Sequence, residues 1–249
     1  MTITSDKTVD EFKRRFDRVS LGRNRYEVWQ DFITLTACGI AAAADPRPER
    51  ESLYQHTIGK YRENEAEWFA RTAAAYFEIV EKNPFQDVLG ELYMKMELGN
   101  NCVGQFFTPY QISQMMAEIN AEHMIERIER DGWTSVNDCA CGGGAMLIAA
   151  AEALCRRGIN YQQTCMFVGQ DLIGGTAMMC YIQLTMLGCP GYVKIGDTLR
   201  EPATGDVLFA PDEESIWVTP MYNHATWSGR RFARILDDAM KRERRRHDA

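Results

Sequence analysis

Residues Val136-Asn137-Asp138 run directly into Cys139-Ala140-Cys141-Gly142-Gly143-Gly144, and helical text begins at Ala145. Two cysteines one residue apart raise the question of a metal or redox pair. Three glycines in a row raise a different one. A glycine turn between a strand and a helix lets the backbone bend sharply and approach a ligand beside a helix N-terminus. A zinc site needs two further ligands at suitable spacing, and no second cysteine pair or histidine pair stands nearby. The weight therefore falls on a cofactor turn with the thiols as small packing residues, and no metal is expected. A merely tight strand–helix junction is the plainer alternative.

Two acids strengthen the cofactor reading. Asp171 ends "FVGQD", about thirty residues after the turn, where a carboxylate can accept hydrogen bonds from both hydroxyls of a ribose. Asp197 ends "IGDTL", where a carboxylate can accept from an adenine amino group. Either acid alone reads as an exposed strand end; the ordered pair after a glycine turn says more.

The elements that must position these groups follow from periodicity. Residues 1–100 read as a helical segment, with "YEVWQDFITLTACGIAAAA" and "EAEWFARTAAAYFEIVEK" apolar at three- and four-residue intervals and "DPRPERES" as the loop between them. Residues 101–249 read as a second unit. Its first helix, "FTPYQISQMMAEINAEHMIERIERDG", has Thr108 as N-cap, Pro109 at the first helical position and Gln111 completing a capping box. Then "WTSVNDCA", "CMFVGQDL", "YVKIGDTL" and "SIWVTPMY" read as strands, with helices between the first three and a last helix after residue 226. This alternation predicts an α/β fold, a parallel sheet covered on both faces.

Composition limits the rest. The chain has 249 residues, 45% hydrophobic and 25% charged, as expected of a globular protein. No run of eighteen apolar residues suggests a membrane span. The amino terminus lacks a signal peptide's apolar centre, so a cytoplasmic location is expected. Eight cysteines show no disulfide spacing and read as buried thiols. Four histidines, at positions 56, 123, 224 and 247, lie far apart. The net charge of −7 argues against a general nucleic-acid coat. Residues 230–246 nevertheless hold eight Lys/Arg against three Asp/Glu, a stretch able to meet phosphate or simply to form a solvated helix end.

Taken in order, "GQFFTP" (104–109), "NDCACGGG" (137–144), "GQD" (169–171) and "GDTL" (196–199) resemble the N6-adenine DNA methyltransferases, most of all the modification subunit of type I restriction enzymes. The resemblance covers roughly residues 85–222. Its usual Asp-Pro-Ala-Cys-Gly-Ser-Gly is kept here as Asp138, Ala140, Cys141, Gly142 and Gly144, with Cys139 in place of Pro and Gly143 in place of Ser. It implies a Rossmann-like sheet that binds S-adenosylmethionine. Thr108 and Pro109 would face the methionine portion, Asp138, Ala140 and Gly142 would line the floor, and Asp171 and Asp197 would hold ribose and adenine.

The resemblance also implies a catalytic turn of the type Asn/Asp/Ser-Pro-Pro-Tyr/Phe, whose oxygens accept from the amino group of a flipped adenine and whose ring stacks on the base. The corresponding stretch is Thr219-Pro220-Met221-Tyr222, twenty-two residues after Asp197. Thr219, Pro220 and Tyr222 are thus the catalytic candidates, with Thr for Asn and Met221 for the second proline. Trp227 and His224 are close enough in sequence to be considered for base stacking. Twenty-seven residues follow Tyr222, too few for further strands and a recognition domain. The expected partners are therefore DNA and a specificity subunit, second subunit or second copy. Two functions remain open: an adenine-N6 DNA methyltransferase dependent on a partner, and a catalytically silent S-adenosylmethionine-binding relative with an assembly or regulatory role. Methylation of another amide or amino acceptor, such as glutamine, stands third, and a metal or redox enzyme last.

Overall fold

The computed structural model describes residues 7–98 and 107–247. Five helices come first: α1 (Lys7–Val19), α2 (Arg25–Ala44), α3 (Pro48–Ile58), α4 (Glu63–Lys82) and α5 (Val88–Lys95). Helix α1 buries Val9, Phe12, Phe16 and Val19, spaced three or four residues apart, and packs along α4. Helix α2 is started by Asn24, whose side chain accepts from the backbone N–H groups of Tyr26 and Glu27. The expected loop at 45–52 is shorter than its composition suggests. Pro48 occupies the first turn of α3, where a missing N–H costs nothing.

Helix α6 (Tyr110–Asp131) leads into β1 (Thr134–Asp138), α7 (Ala145–Arg156), the four-residue α8 (Tyr161–Thr164), β2 (Cys165–Asp171), α9 (Gly174–Met186), β3 (Gly191–Ile195) and β4 (Ile216–Val218). A 3-10 turn over Pro220–Asn223 then opens α10 (Ala225–His247). Helix α6 begins one residue later than expected: Pro109 is its N-cap, with no side-chain cap bond, so Thr108 does not cap it.

The four strands form one sheet in the order β1-β2-β3-β4. Strands β1, β2 and β3 are parallel, as the alternation of strands and helices predicts. Strand β4 runs the other way, pairing antiparallel with β3 through Tyr192–Val218 and Lys194–Ile216. Side-chain alternation along β2 separates the two faces. Cys165 and Phe167 enter the main core with α7, α9 and α2, while Met166 and Val168 enter a smaller cluster. That smaller cluster is closed by Leu208, by Tyr222 of the 3-10 turn and by Trp227 in the first turn of α10, a thinner helical cover than on the main face. The main core runs without interruption from Phe12 and Trp29 in the first helices to Leu147 and Ile182 beside the sheet. Packing therefore crosses the sequence boundary at residue 100.

Candidate cofactor site

Three carboxylates meet at the carboxyl ends of the parallel strands: Asp138 closes β1, Asp171 closes β2, and Asp197 lies two residues beyond β3. The glycine turn threads between them. Gly142 donates its backbone N–H to Asp171 Oδ2 at 2.9 Å, and Ile173 donates to Asp171 Oδ1 at 2.9 Å. Cys141 donates its N–H to the Gln170 carbonyl at 2.9 Å. Thr198, one residue past Asp197, donates its hydroxyl to the Cys139 carbonyl, which draws the ends of β1 and β3 together.

Asp138 accepts from the Ala140 N–H at 3.1 Å. Burial pushes its pKa upward, the Ala140 bond opposes this, and the nearby Asp171 charge adds to the rise. Asp197 accepts from the Leu199 N–H at 2.9 Å and lies 3.5 Å from the Arg200 guanidinium.

The glycines have distinct reasons to be there. Gly144 has φ +98°, and a Cβ on it would stand 2.9 Å from the Cys180 sulfur of α9. Gly142 has φ +54°, and its missing Cβ would touch the Phe107 ring at 3.4 Å. Phe107, held edge-on by Tyr93 with ring centroids 5.3 Å apart, thus walls the turn, and Thr108 and Pro109 are exposed immediately after it. The preceding Gly104, Gln105 and Phe106 lie outside the described residues, as does Cys102. The structure accordingly brings Asp138, Ala140, Gly142, Asp171 and Asp197 together at the carboxyl ends of the parallel strands, with Thr108 and Pro109 next in sequence to Phe107, which walls the turn.

The two cysteines do different things. Cys139 is exposed, whereas Cys141 is buried against Cys180, whose thiol is pushed far up by contact with Cys141 and by burial. Both Cys141 and Cys180 lie close to where Gly169 would carry a Cβ.

Four residues at the site escape a reading of the sequence. Asp87 is fully enclosed beneath the turn and caps α5 by accepting from the Gly90 N–H. The Gln183 amide donates at 2.7 Å both to Asp87 Oδ1 and to the Gly143 carbonyl, while its oxygen accepts from the Leu89 N–H at 3.1 Å. A lone glutamine in the apolar text "CYIQLTML" was the available signal. Leu172 and Leu199 are the other two, 68% and 94% exposed, each close after one of the acids. They offer apolar walls beside carboxylates, which suits a planar base with a sugar attached.

The residues present therefore fit a nucleoside-bearing cofactor. Helix α7 starts at a glycine with no side-chain cap, so its first-turn N–H groups are available to an anionic end. A cavity of about 400 Å³ adjoins the turn along the outer edge of β1, bounded by Met116, Met124, Val136, Asp138 and Met146. A cavity of about 490 Å³ lies elsewhere, between α2 and α3.

Thr219, Pro220 and Tyr222 are not part of this site. Because β4 runs antiparallel to β3, its end lies beside Gly191 at the start of β3, whereas the acids lie past the other end. At a rise of ~3.3 Å per residue, the length of β3 alone separates them by ~13 Å, and Asp138 is two strands further across. Thr219 is fully buried, accepting from the Gly191 N–H at 3.0 Å and donating to the Cys189 carbonyl at 2.8 Å. Tyr222 donates to the Leu208 carbonyl at 2.9 Å and accepts from the Ala210 N–H at 2.9 Å, with the Arg231 guanidinium over its ring. Pro220 opens the 3-10 turn. Trp227 is also buried, packed edge-on against Trp133 and donating to the Gln162 carbonyl at 2.8 Å, so its ring has no face to offer a base.

The chain resembles known proteins in the same region. Residues 85–246 match the family model described as N-6 DNA Methylase. The type I restriction enzyme MjaIX methylase subunit of Methanocaldococcus jannaschii is 24% identical over 151 residues, 59% of this chain. The matched stretch spans 25% of that relative's length. A Listeria monocytogenes protein described as a class I S-adenosylmethionine-dependent methyltransferase superposes with a TM-score of 0.42 at 14% identity, over 82% of this chain and 58% of that one. With the family model matching well over half of its residues, the chain belongs to the N-6 DNA methylase family.

Proposed function

We propose that this chain binds S-adenosylmethionine at the glycine turn and, by itself, lacks the acceptor groups that adenine methylation requires. S-adenosylmethionine is the cofactor of the family and supplies an electrophilic methyl group. In this reading Asp171 holds the ribose, Asp197 the adenine amino group, and Leu172 and Leu199 the faces of the base. Asp138, Ala140 and Gly142 form the floor, and Thr108 and Pro109 flank the methionine portion. The observation that carries the silent reading is the placement of Thr219: its hydroxyl is consumed by Gly191 and Cys189 at the far end of the sheet. An exocyclic amine attacks only when it is held in line with the methyl group by nearby acceptors, and loss of that positioning costs roughly 100-fold or more.

A second reading is favoured by the outer edge of β1, which has no strand partner among the described residues and leads into the glycine turn. A strand contributed there by another polypeptide would bring acceptors beside the cleft, making this chain one part of an adenine-N6 DNA methyltransferase that relies on a specificity or second subunit.

The test uses S-adenosylmethionine labelled on its methyl group, incubated with the purified chain and unmethylated DNA. Retained cofactor with no label in DNA or protein supports the silent reading. Label recovered as N6-methyladenine, in proportion to purified chain alone, overturns it. Label that appears in DNA only after a second subunit is added supports the second reading.

A further inference from the structure

Helix α5 reaches the glycine turn by two routes, one from each of its ends. The first runs through Gln183 of α9. Its amide nitrogen donates at 2.7 Å to Oδ1 of Asp87, the N-cap of α5, and at 2.7 Å to the Gly143 carbonyl. Its amide oxygen accepts from the Leu89 N–H in the first turn of α5 at 3.1 Å. The second route runs through Tyr93 in the last turn of α5. Its ring meets Phe107 edge-on, and Phe107 lies against Gly142. Gly142 and Gly143, neighbours in the turn, are thus each met by a residue that α5 holds.

The orientation of the Gln183 amide is dictated by its partners. Both N–H groups and the oxygen are used, and turning the amide over would set its oxygen against the Asp87 carboxylate and the Gly143 carbonyl. Gln183 and Asp87 are each 3% exposed, so solvent would not replace a bond lost here. An apolar residue at position 183 would fill the volume and leave the Leu89 N–H and the Gly143 carbonyl without partners.

The bond to Gly143 also sets the plane of a peptide group. In a trans peptide the carbonyl and the following N–H point in opposite directions. Holding the Gly143 carbonyl toward Gln183 turns the Gly144 N–H the other way, where it closes the turn on the Cys141 carbonyl at 2.8 Å. Met179 and Cys180, one helical turn before Gln183, pack against the same glycines. A Cβ on Gly143 would stand 3.5 Å from Met179 Cε, and one on Gly144 2.9 Å from the Cys180 sulfur. Packing sets how closely α9 approaches, and the glutamine fixes which way the peptide faces.

We propose that Gln183 is a positioning residue for S-adenosylmethionine, through which α5 of the helical segment sets the shape of the cofactor turn. The proposal rests on the reading of that turn as the cofactor site. Gln183 acts on the ligand only through Gly143, so cofactor affinity depends on a helix that supplies none of the three carboxylates.

Isothermal titration of the full chain with S-adenosylmethionine tests this, comparing wild type, Gln183→Leu and Thr219→Val. Both substitutions strand one N–H and one carbonyl, so both should lower the unfolding midpoint. Gln183→Leu alone should weaken binding, by roughly 10-fold or more. Equal affinity in the two folded variants overturns the proposal. Hydrogen exchange on the wild-type chain reads the same link without a substitution, and serves where Gln183→Leu does not fold. Adding S-adenosylmethionine should slow exchange over residues 86–92 together with 139–145. Protection confined to 139–145 overturns the proposal and leaves the cofactor reading standing. Wild-type chain that binds no S-adenosylmethionine, or binds it with neither segment protected, overturns the cofactor reading and this inference with it.

Discussion

Asp171 grips the turn that it was expected only to face. Its carboxylate accepts the Gly142 N–H at 2.9 Å from one side and the Ile173 N–H at 2.9 Å from the other. The acid therefore shapes the glycine turn.

Replacing it should damage both tasks. Asp171→Ala removes two charge-assisted hydrogen bonds, each worth roughly 1.5–3 kcal/mol. The expected outcome is a lower melting temperature together with S-adenosylmethionine affinity reduced roughly 10-fold or more. Isothermal titration measures the second effect, and unchanged affinity in a folded Asp171→Ala protein would remove this residue from the site.

Thr219 and Tyr222 should behave as structural residues. Thr219→Val strands the Gly191 N–H and the Cys189 carbonyl, and Tyr222→Phe strands the Ala210 N–H and the Leu208 carbonyl. Each should cost about 1–3 kcal/mol in denaturant unfolding and leave S-adenosylmethionine affinity at its wild-type value. Either substitution changing cofactor affinity without changing stability would place that side chain back in the site.

Asp87 makes stability depend on pH. Its folded pKa is raised by burial, partly opposed by the bonds from Gln183 and Gly90. The folded state therefore holds the proton more tightly than the unfolded chain. The resulting stability is fully present below the unfolded value of 3.8 and is lost as pH climbs from there through the raised folded value. Asp87→Asn keeps an oxygen for Gln183 and Gly90 and should flatten this dependence, with stability at neutral pH equal to wild type or higher. Asp87→Ala leaves the Gln183 amide with one partner fewer and should destabilise at all pH values. Urea unfolding midpoints across the acid range distinguish the two.

Gly144 and Gly158 separate backbone strain from collision. Both have positive φ, +98° and +75°, yet a Cβ at Gly158 meets nothing within 4 Å while one at Gly144 meets the Cys180 sulfur at 2.9 Å. Gly158→Ala should cost about 1 kcal/mol, the left-handed penalty alone. Gly144→Ala should cost roughly 1–3 kcal/mol more and weaken S-adenosylmethionine binding by moving the turn. Parallel thermal melts of the two variants decide it, and equal losses would contradict the close packing of the turn on α9.

The parts of the molecule that were legible in the sequence are those encoded locally. A strand that ends in an acid, passes through glycines and starts a helix carries its signal within ten residues, so the turn and the acids Asp138, Asp171 and Asp197 could be placed at one edge of a sheet. The direction of β4 could not. Ile216-Trp217-Val218 is too short to show which neighbour it pairs with, and its antiparallel course depends on how residues 196–215 fold back across β3. Reading Thr219-Pro220-Met221-Tyr222 from its order in the chain assumed a parallel strand, and the far-end position of Thr219 follows from the reversal. Asp87 and Gln183 were hidden for another reason: they meet across ninety-six residues of chain, a distance that no local pattern reports.

The sheet order has one more implication. Among the described residues β1 is an outermost strand of the sheet, so the glycine turn follows a strand that has one neighbour and not two. A ligand in the cleft and a chain added to the β1 edge would then share Asp138 and the ground beside it. Two such events are thermodynamically linked: if one changes the free energy of the other, the reverse change is equal in size. The occupancy of a small nucleoside could in this way report on, and adjust, whether the sheet has been extended.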